Sequence, residues 1–265
     1  MAEATARVLG GLVVRSFGDG APVVLFHGGT GSWTHWSRNI QALAARLRVH
    51  ALDLPGYGAA PSPPSGPDPV AYLHLVSEAV STLAREEGPL RLVGFSFGGA
   101  VSAAIARCLG PDCAAWAGIG PGGFGEAKDR RLDQRQLPPP DDPGYRAVVR
   151  HNLLTMMLAK PESVDEATID LQCANIAQAR FDSRRVSLRA TLAVDLAAVA
   201  APVMAIWGQA DQLAWPSVEA RAERLRAARP DARIALVPGA GHWAQYEAPA
   251  SVNALLTDFL LLHAK

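Results

Sequence analysis

Along the chain, short apolar runs alternate with segments whose apolar residues recur three and four positions apart. The runs are Pro22 to Phe26, Val49 to Leu54, Leu90 to Val93, Cys113 to Ile119, Pro202 to Trp207 and Arg233 to Val237. Each has the length of a strand buried on both faces. Between them, Trp36, Ile40, Leu43 and Leu47, and later Leu73, Val76, Val80 and Leu83, follow helical spacing. Ala100 to Leu109 reads as a helix of small residues, and Val252, Leu255, Leu256 and Phe259 mark one face of a closing helix. Arg7 to Phe17, divided by Gly10-Gly11, predicts an opening antiparallel hairpin. This alternation predicts an α/β fold, a mostly parallel central sheet flanked by helices on both faces.

One stretch breaks the rhythm. From Gly120 to about Ala200 no strand pattern appears, and helix-like segments run around Arg146 to Leu158, Val164 to Arg180 and Ser187 to Val194. The expectation is a core made of residues 1–120 and 200–265, with residues 121–199 inserted as a helical cap over the strands' carboxyl ends.

Composition narrows the possibilities. With 265 residues, 49% of them apolar and 19% charged, the chain can bury one sizeable core. A formal net charge of zero offers no electrostatic handle for nucleic acid or an anionic membrane. Cys108, Cys113 and Cys173 form no C-x-x-C pair, which predicts free thiols and no metal site. No apolar leader and no run of transmembrane length is present, so a cytoplasmic protein is expected, monomeric or homodimeric, with a small-molecule substrate.

The strongest chemical pattern is Gly94-Phe95-Ser96-Phe97-Gly98-Gly99, between a predicted strand and a predicted helix. A serine at such a turn, with glycine two residues either side, matches the G-x-S-x-G elbow, whose tightness leaves no room for side chains at the glycines. Serine at its own pKa is a poor nucleophile and needs a base, which in turn needs an orienting acid. Asp211 follows the strand ending at Trp207, and His242 lies in the loop Pro238-Gly239-Ala240-Gly241-His242 after another. Of the other histidines, His35, His50, His74, His151 and His263 sit on helix or strand patterns, and His27 belongs to a different motif. Asp182, Asp195 and Asp231 are the alternative acids. The loop His27-Gly28-Gly29-Thr30-Gly31 follows a buried strand, and its glycines let backbone N–H groups approach a substrate oxygen. The residue after the serine, Phe97, would supply a second such N–H. His27 is expected to prop this loop without touching substrate. No G-K-[ST] follows, which argues against a P-loop nucleotide site.

Taken together, His27-Gly28-Gly29, Asp53-Leu54-Pro55-Gly56-Tyr57-Gly58, Gly94 to Gly99, Gly208 to Asp211 and Gly241-His242 resemble the α/β-hydrolase superfamily. The resemblance implies a Ser96–His242–Asp211 triad, oxyanion-hole N–H groups from Gly29 and Phe97, a fold-supporting Asp53 and no cofactor. Relatives that place aspartate at the elbow, the haloalkane dehalogenases and soluble epoxide hydrolases, are excluded by Ser96. Gly28, Trp33, Phe95, Trp215 and Trp243 crowd these motifs and together suggest an apolar substrate pocket. Gly241 to Glu247 is locally similar to the meta-cleavage-product hydrolases, which cut a carbon–carbon bond in acidic diketones, with Arg180, Arg184 and Arg185 as candidate anchors for the acid. Thr30-Gly31-Ser32 departs from that family's loop, so carboxylic-ester hydrolysis ranks first and carbon–carbon hydrolysis second. A non-catalytic small-molecule-binding relative is a remote third, and the intact set of motifs speaks against it.

Overall fold

The computed structural model describes residues 5–64, 66, 68–125, 129 and 131–262. His263, and residues 126–128 and 130 of the expected insertion, lie outside them. The chain opens with the hairpin of β1 (Thr5–Leu9) and β2 (Leu12–Phe17), turned at Gly10 and Gly11. It continues through β3 (Ala21–Phe26), α1 (Ile40–Ala44), β4 (Leu47–Asp53), α2 (Pro69–Glu87), β5 (Leu90–Phe95), α3 (Phe97–Leu109) and β6 (Cys113–Ile119). Helices α4 (Tyr145–Met156), α5 (Glu166–Ala177), α6 (Arg184–Ser187) and α7 (Leu192–Ala197) precede β7 (Val203–Gly208). The chain closes with α8 (Val218–Ala228), β8 (Arg233–Val237), α9 (Ala244–Glu247) and α10 (Pro249–Leu262).

The eight strands form one sheet in the order β1-β2-β4-β3-β5-β6-β7-β8. From β4 to β8 every pair is parallel, and β2 joins β4 antiparallel. Successive strand residues point to opposite faces. Val24 and Phe26 thus pack with α2, α3 and α8, while Val23 and Leu25 pack with α1 and α10. Coverage on both sides explains why these strands read as continuous apolar runs. The register sets Phe26 beside Gly94, Gly94 beside Gly118 and Ile119 beside Ile206. The carboxyl ends of the central strands therefore lie level, where an open parallel sheet presents its ligand site. Among the described residues, no helix is long and apolar enough to cross a membrane.

Two local expectations are corrected. The helix read from Trp36 to Leu47 is a short turn over Trp33–Trp36, then α1, because Leu47 already pairs with Ala21 in the sheet. The helix read over Ser187 to Val194 is broken, since Ser187 O and Leu192 N–H both bond to Gly123. Helix α8 had no counterpart in the sequence reading. Its buried stripe, Val218, Ala222 and Leu225, is thin and lies among charged residues.

Candidate active site

Ser96 stands between β5 and α3, at the N-cap of the helix, with φ +50° and ψ −115°. Positive φ on a residue with a Cβ costs about 1–3 kcal/mol, so the surroundings must hold it there. They do so through both backbone groups: Ser96 N–H donates to Ile119 O at 3.0 Å, and Ser96 O accepts from Gly122 N–H at 2.8 Å. The flanking glycines are a steric requirement. A Cβ at Gly98 would collide with Phe26 O and His27 O, and one at Gly94 with Gly98 O and Ser102 Oγ. Gly98→Ala is therefore expected to destabilise the protein by about 3 kcal/mol, lowering Tm by roughly 10 °C, as thermal unfolding would register. An unchanged Tm would mean that β3 can withdraw from the elbow at no cost.

Asp211 and His242 are brought together by two loops that lace to each other. Gln209 N–H donates to Val237 O at 3.0 Å and Ala210 N–H to Ala240 O at 2.9 Å. Gly208 makes this possible, because a Cβ there would strike Ala240 O and Gly241 O. The His242 Nδ1 atom then lies 3.0 and 2.9 Å from the two Asp211 carboxylate oxygens, with both residues buried. Its Nε2 is buried with no hydrogen-bond partner among the described residues. Gly120, whose neighbour Ile119 bonds Ser96, sits against this pair, and a Cβ there would come 2.9 Å from His242 Nδ1.

The loop after β3 completes the arrangement. His27 Nε2 accepts from Leu54 N–H at 3.0 Å, so Nδ1 carries the proton and donates to Gly28 O at 2.7 Å. Burial lowers the His27 pKa to about 4, against the opposing effects of the Gly28 bond and Asp53. Asp53 accepts from Arg15 Nη1, Trp33 N–H and Ala59 N–H at 2.7, 2.9 and 3.0 Å, tying β2 to the turns at Trp33 and Ala59. Gly28 N–H is bonded to His35 Nδ1 at 3.2 Å, whereas Gly29 N–H has no acceptor among the described residues. Phe97 N–H opens α3, where no acceptor exists within the helix. Gly29 and Phe97 are neighbours, since a Cβ on Gly29 would lie 3.8 Å from that of Phe97.

The aromatic candidates are dispersed. Phe95 and Trp243 are fully buried: Phe95 packs on His242 and His35, while Trp243 stacks on Tyr246 and donates to His35 O at 3.1 Å. Trp33 stacks on Phe17 beneath Arg15. Trp215 is 38% exposed and lines a surface cavity with Gln209, Asp211 and Glu219. Arg180 is spent on the carbonyls of Gln178, Gly58 and Ala60, and Arg184 on Asp182. Asp195 pairs with Arg107 and Asp231 with Arg229, away from His242.

Several residues of the site carried no sequence signal. Ser183 abuts Gly29 so closely that a Cβ there would collide with its hydroxyl, and Ser187 packs on Gly122. The stretch from Phe181 to Leu188 thus covers the elbow. Beside His242 and Asp211 remains a cavity of about 110 Å³, bounded by Gly120, Ser187, Leu188, Trp207 and Leu213. Glu247 accepts from Gly241, Lys160 and Ala159 N–H groups at 2.6, 2.7 and 3.1 Å, fastening the His242 loop to the segment after α4. Its signal was present in the sequence as the glutamate that ends the Gly241-to-Glu247 run.

The chain has relatives among known proteins. The chain is 33% identical, over 96% of its length and 68% of the relative's, to the dihydrolipoyllysine-residue acetyltransferase component of the acetoin cleaving system of Pseudomonas putida. It is 29% identical, over 90% of its length and 86% of the relative's, to the 2-hydroxy-6-oxononadienedioate/2-hydroxy-6-oxononatrienedioate hydrolase of Cupriavidus pinatubonensis. The fold superimposes on a thermophilic esterase from Thermogutta terrifontis with TM-score 0.72 at 19% identity, covering 100% of both chains. Residues 23–255 match the model of the alpha/beta hydrolase family, and with the elbow, the Asp211–His242 pair and the sheet order in hand, the chain belongs to that family.

Proposed function

We propose that this hydrolase cleaves carboxylic esters of small apolar or aromatic compounds through an acyl-enzyme on Ser96. The observation that carries the reading is the state of His242: Nδ1 is gripped by the Asp211 carboxylate and Nε2 is buried without a partner. A base oriented in this way takes the Ser96 proton on Nε2 as Oγ attacks the ester carbonyl carbon. The oxyanion forms against the Gly29 and Phe97 N–H groups. Collapse breaks the carbon–oxygen bond, and the alcohol leaves with the proton held on Nε2. Water then enters, gives a proton to Nε2 and releases the acid from Ser96, restoring the serine hydroxyl. Side chains and backbone suffice for every step.

The cavity of about 110 Å³ beside His242 is smaller than an engineered 150 Å³ cavity that admits benzene. It suits an acyl group of a few heavy atoms, which leaves an aromatic alcohol to lie outside it. The commitment of Arg180 and Arg184 to carbonyls and Asp182 leaves them poor anchors for a dicarboxylic substrate, so of the three candidates Arg185 alone is left to that role. The acetyltransferase relative points to thioesters as a second substrate class for the same acyl-enzyme.

A panel decides among these. Phenyl acetate, p-nitrophenyl acetate and butyrate, S-acetyl dihydrolipoamide and a vinylogous diketo acid would be compared by kcat/KM. Acetyl esters are expected to lead, and Ser96→Ala to lower kcat by about 10⁶-fold. Ester turnover that survives Ser96→Ala would overturn the nucleophile, and a dominant diketo acid would replace the substrate class.

A further inference from the structure

Thr30 and Ser96 are the two non-glycine residues with positive φ among the described residues, and both lie at the candidate site. The elbow's own hydrogen bonds explain Ser96. Thr30, at φ +49°, sits in an open loop and needs a restraint from elsewhere.

Helix α5 of the insertion provides it. Gln172 Nε2 donates to Thr30 O at 3.3 Å. Three residues on, along the same helix face, Asn175 Oδ1 accepts from Ser32 Oγ at 2.8 Å and Thr34 Oγ1 at 3.1 Å. Between these contacts stands His35. Because Gly28 N–H donates to its Nδ1, the ring is the neutral tautomer with its proton on Nε2. That Nε2 is buried and unpartnered, and so is Gln172 Oε1, a donor and an acceptor. Gly31, next to Thr30, packs on the His35 ring, and Gln172 offsets part of the burial that lowers that ring's pKa. An unmade buried donor beside an unmade buried acceptor is costly for both, and closing on each other relieves both. His35 reaches the other side of the site as well, since its carbonyl accepts from Trp243 Nε1, next to His242.

We propose that Gln172 is a positioning residue: its carboxamide accepts the His35 Nε2 proton and donates to Thr30 O, so that α5 sets the Gly28–Thr30 loop against Ser96. The assignment rests on the ester-hydrolase reading for its kinetic consequence, though the contact itself does not. It makes the insertion part of the oxyanion machinery. Movement of α5 away from the core would release Thr30 and His35 together.

The test is Gln172→Met, which keeps the side-chain length and removes both bonds. With p-nitrophenyl acetate, kcat should fall about tenfold, a fraction of the loss from deleting an oxyanion donor, while KM stays within twofold and Tm within a few degrees. The rate of Ser96 labelling by a fluorophosphonate should fall in step. In ¹⁵N-histidine NMR of the wild type, His35 should show a slowly exchanging Nε2 proton, lost in Gln172→Met. An unchanged kcat and labelling rate in an active enzyme would overturn the positioning role. A His35 proton absent from the wild type, or insensitive to the substitution, would overturn the contact. Wild-type protein that neither turns over esters nor labels at Ser96 would sink the hydrolase reading instead, and the NMR would still decide the contact.

Discussion

Asp211→Asn should lower kcat on acetyl esters about 10⁴-fold while leaving KM within a few-fold. Both carboxylate oxygens lie within 3.0 Å of His242 Nδ1, and Oδ1 also accepts from Leu213 N–H at 2.8 Å. An asparagine would keep its oxygen toward the Leu213 N–H and turn its NH₂ toward the imidazole. Two donors cannot share that line, so the ring proton moves to Nε2, the atom that must accept the proton of Ser96. The base is then in the wrong tautomer although every heavy atom stays where it was. Binding of substrate, which involves neither nitrogen, changes little. Steady-state kinetics check the split. A loss that fell mainly on KM would mean that Asp211 shapes the cavity and does not orient His242.

Mild acid should unfold the protein, and the cause lies in buried histidines more than in the surface ion pairs. Burial lowers the pKa of His27 and of His50 to about 4, with Arg48 and Arg7 adding to the effect at His50, and His35 is held well below its ordinary value by burial and its histidine neighbours. In the unfolded chain each titrates near 6.5. Above pH 6.5 the rings are neutral in both states and stability is complete. Between pH 6.5 and 4 the unfolded chain binds protons that the native state refuses, so stability falls as the pH falls. The loss at pH 4 is roughly 3 kcal/mol from each of His27 and His50, a sum comparable to the whole stability of an ordinary domain. Urea unfolding at pH 7, 6, 5 and 4.5 should show the midpoint dropping steeply. His50→Gln, in the sheet beside Ser16, should flatten that dependence without lowering ester turnover at pH 7. A midpoint constant down to pH 4.5 would show that these rings are protonated in the native state.

The core was legible because parallel strands buried on both faces leave unbroken apolar runs. Only the edges of those runs were uncertain, as at Leu47, where sheet pairing took the last turn of a predicted helix. Ser96, Asp211 and His242 were legible for a different reason. Each stands just past a strand, in a loop whose glycines answer to collisions that the structure locates, such as Gly208 against Gly241 O. The supporting residues were not legible. Gln172 and Asn175 look like ordinary polar positions on a helix, and only the docking of α5 turns them toward Thr30 and Ser32. His35 has the spacing of a helix surface yet is wholly buried, because the chain turns at Trp33–Trp36 before α1 begins. The division between α6 and α7 depends on the Gly123 backbone, a partner more than sixty positions away.

Glu247 bears on how proteins of this kind can be recombined. Its carboxylate holds Gly241 on one side and Ala159 and Lys160 on the other, while Met157 O accepts the Trp243 N–H at 2.8 Å. A chimera that imports a foreign 121–199 segment to change substrate choice would cut this seam. It would leave a buried carboxylate facing new backbone and loosen the very loop that carries His242. Segments 157–160 and 241–247 therefore form one exchangeable unit, and grafts that move them together should keep activity that separate grafts lose.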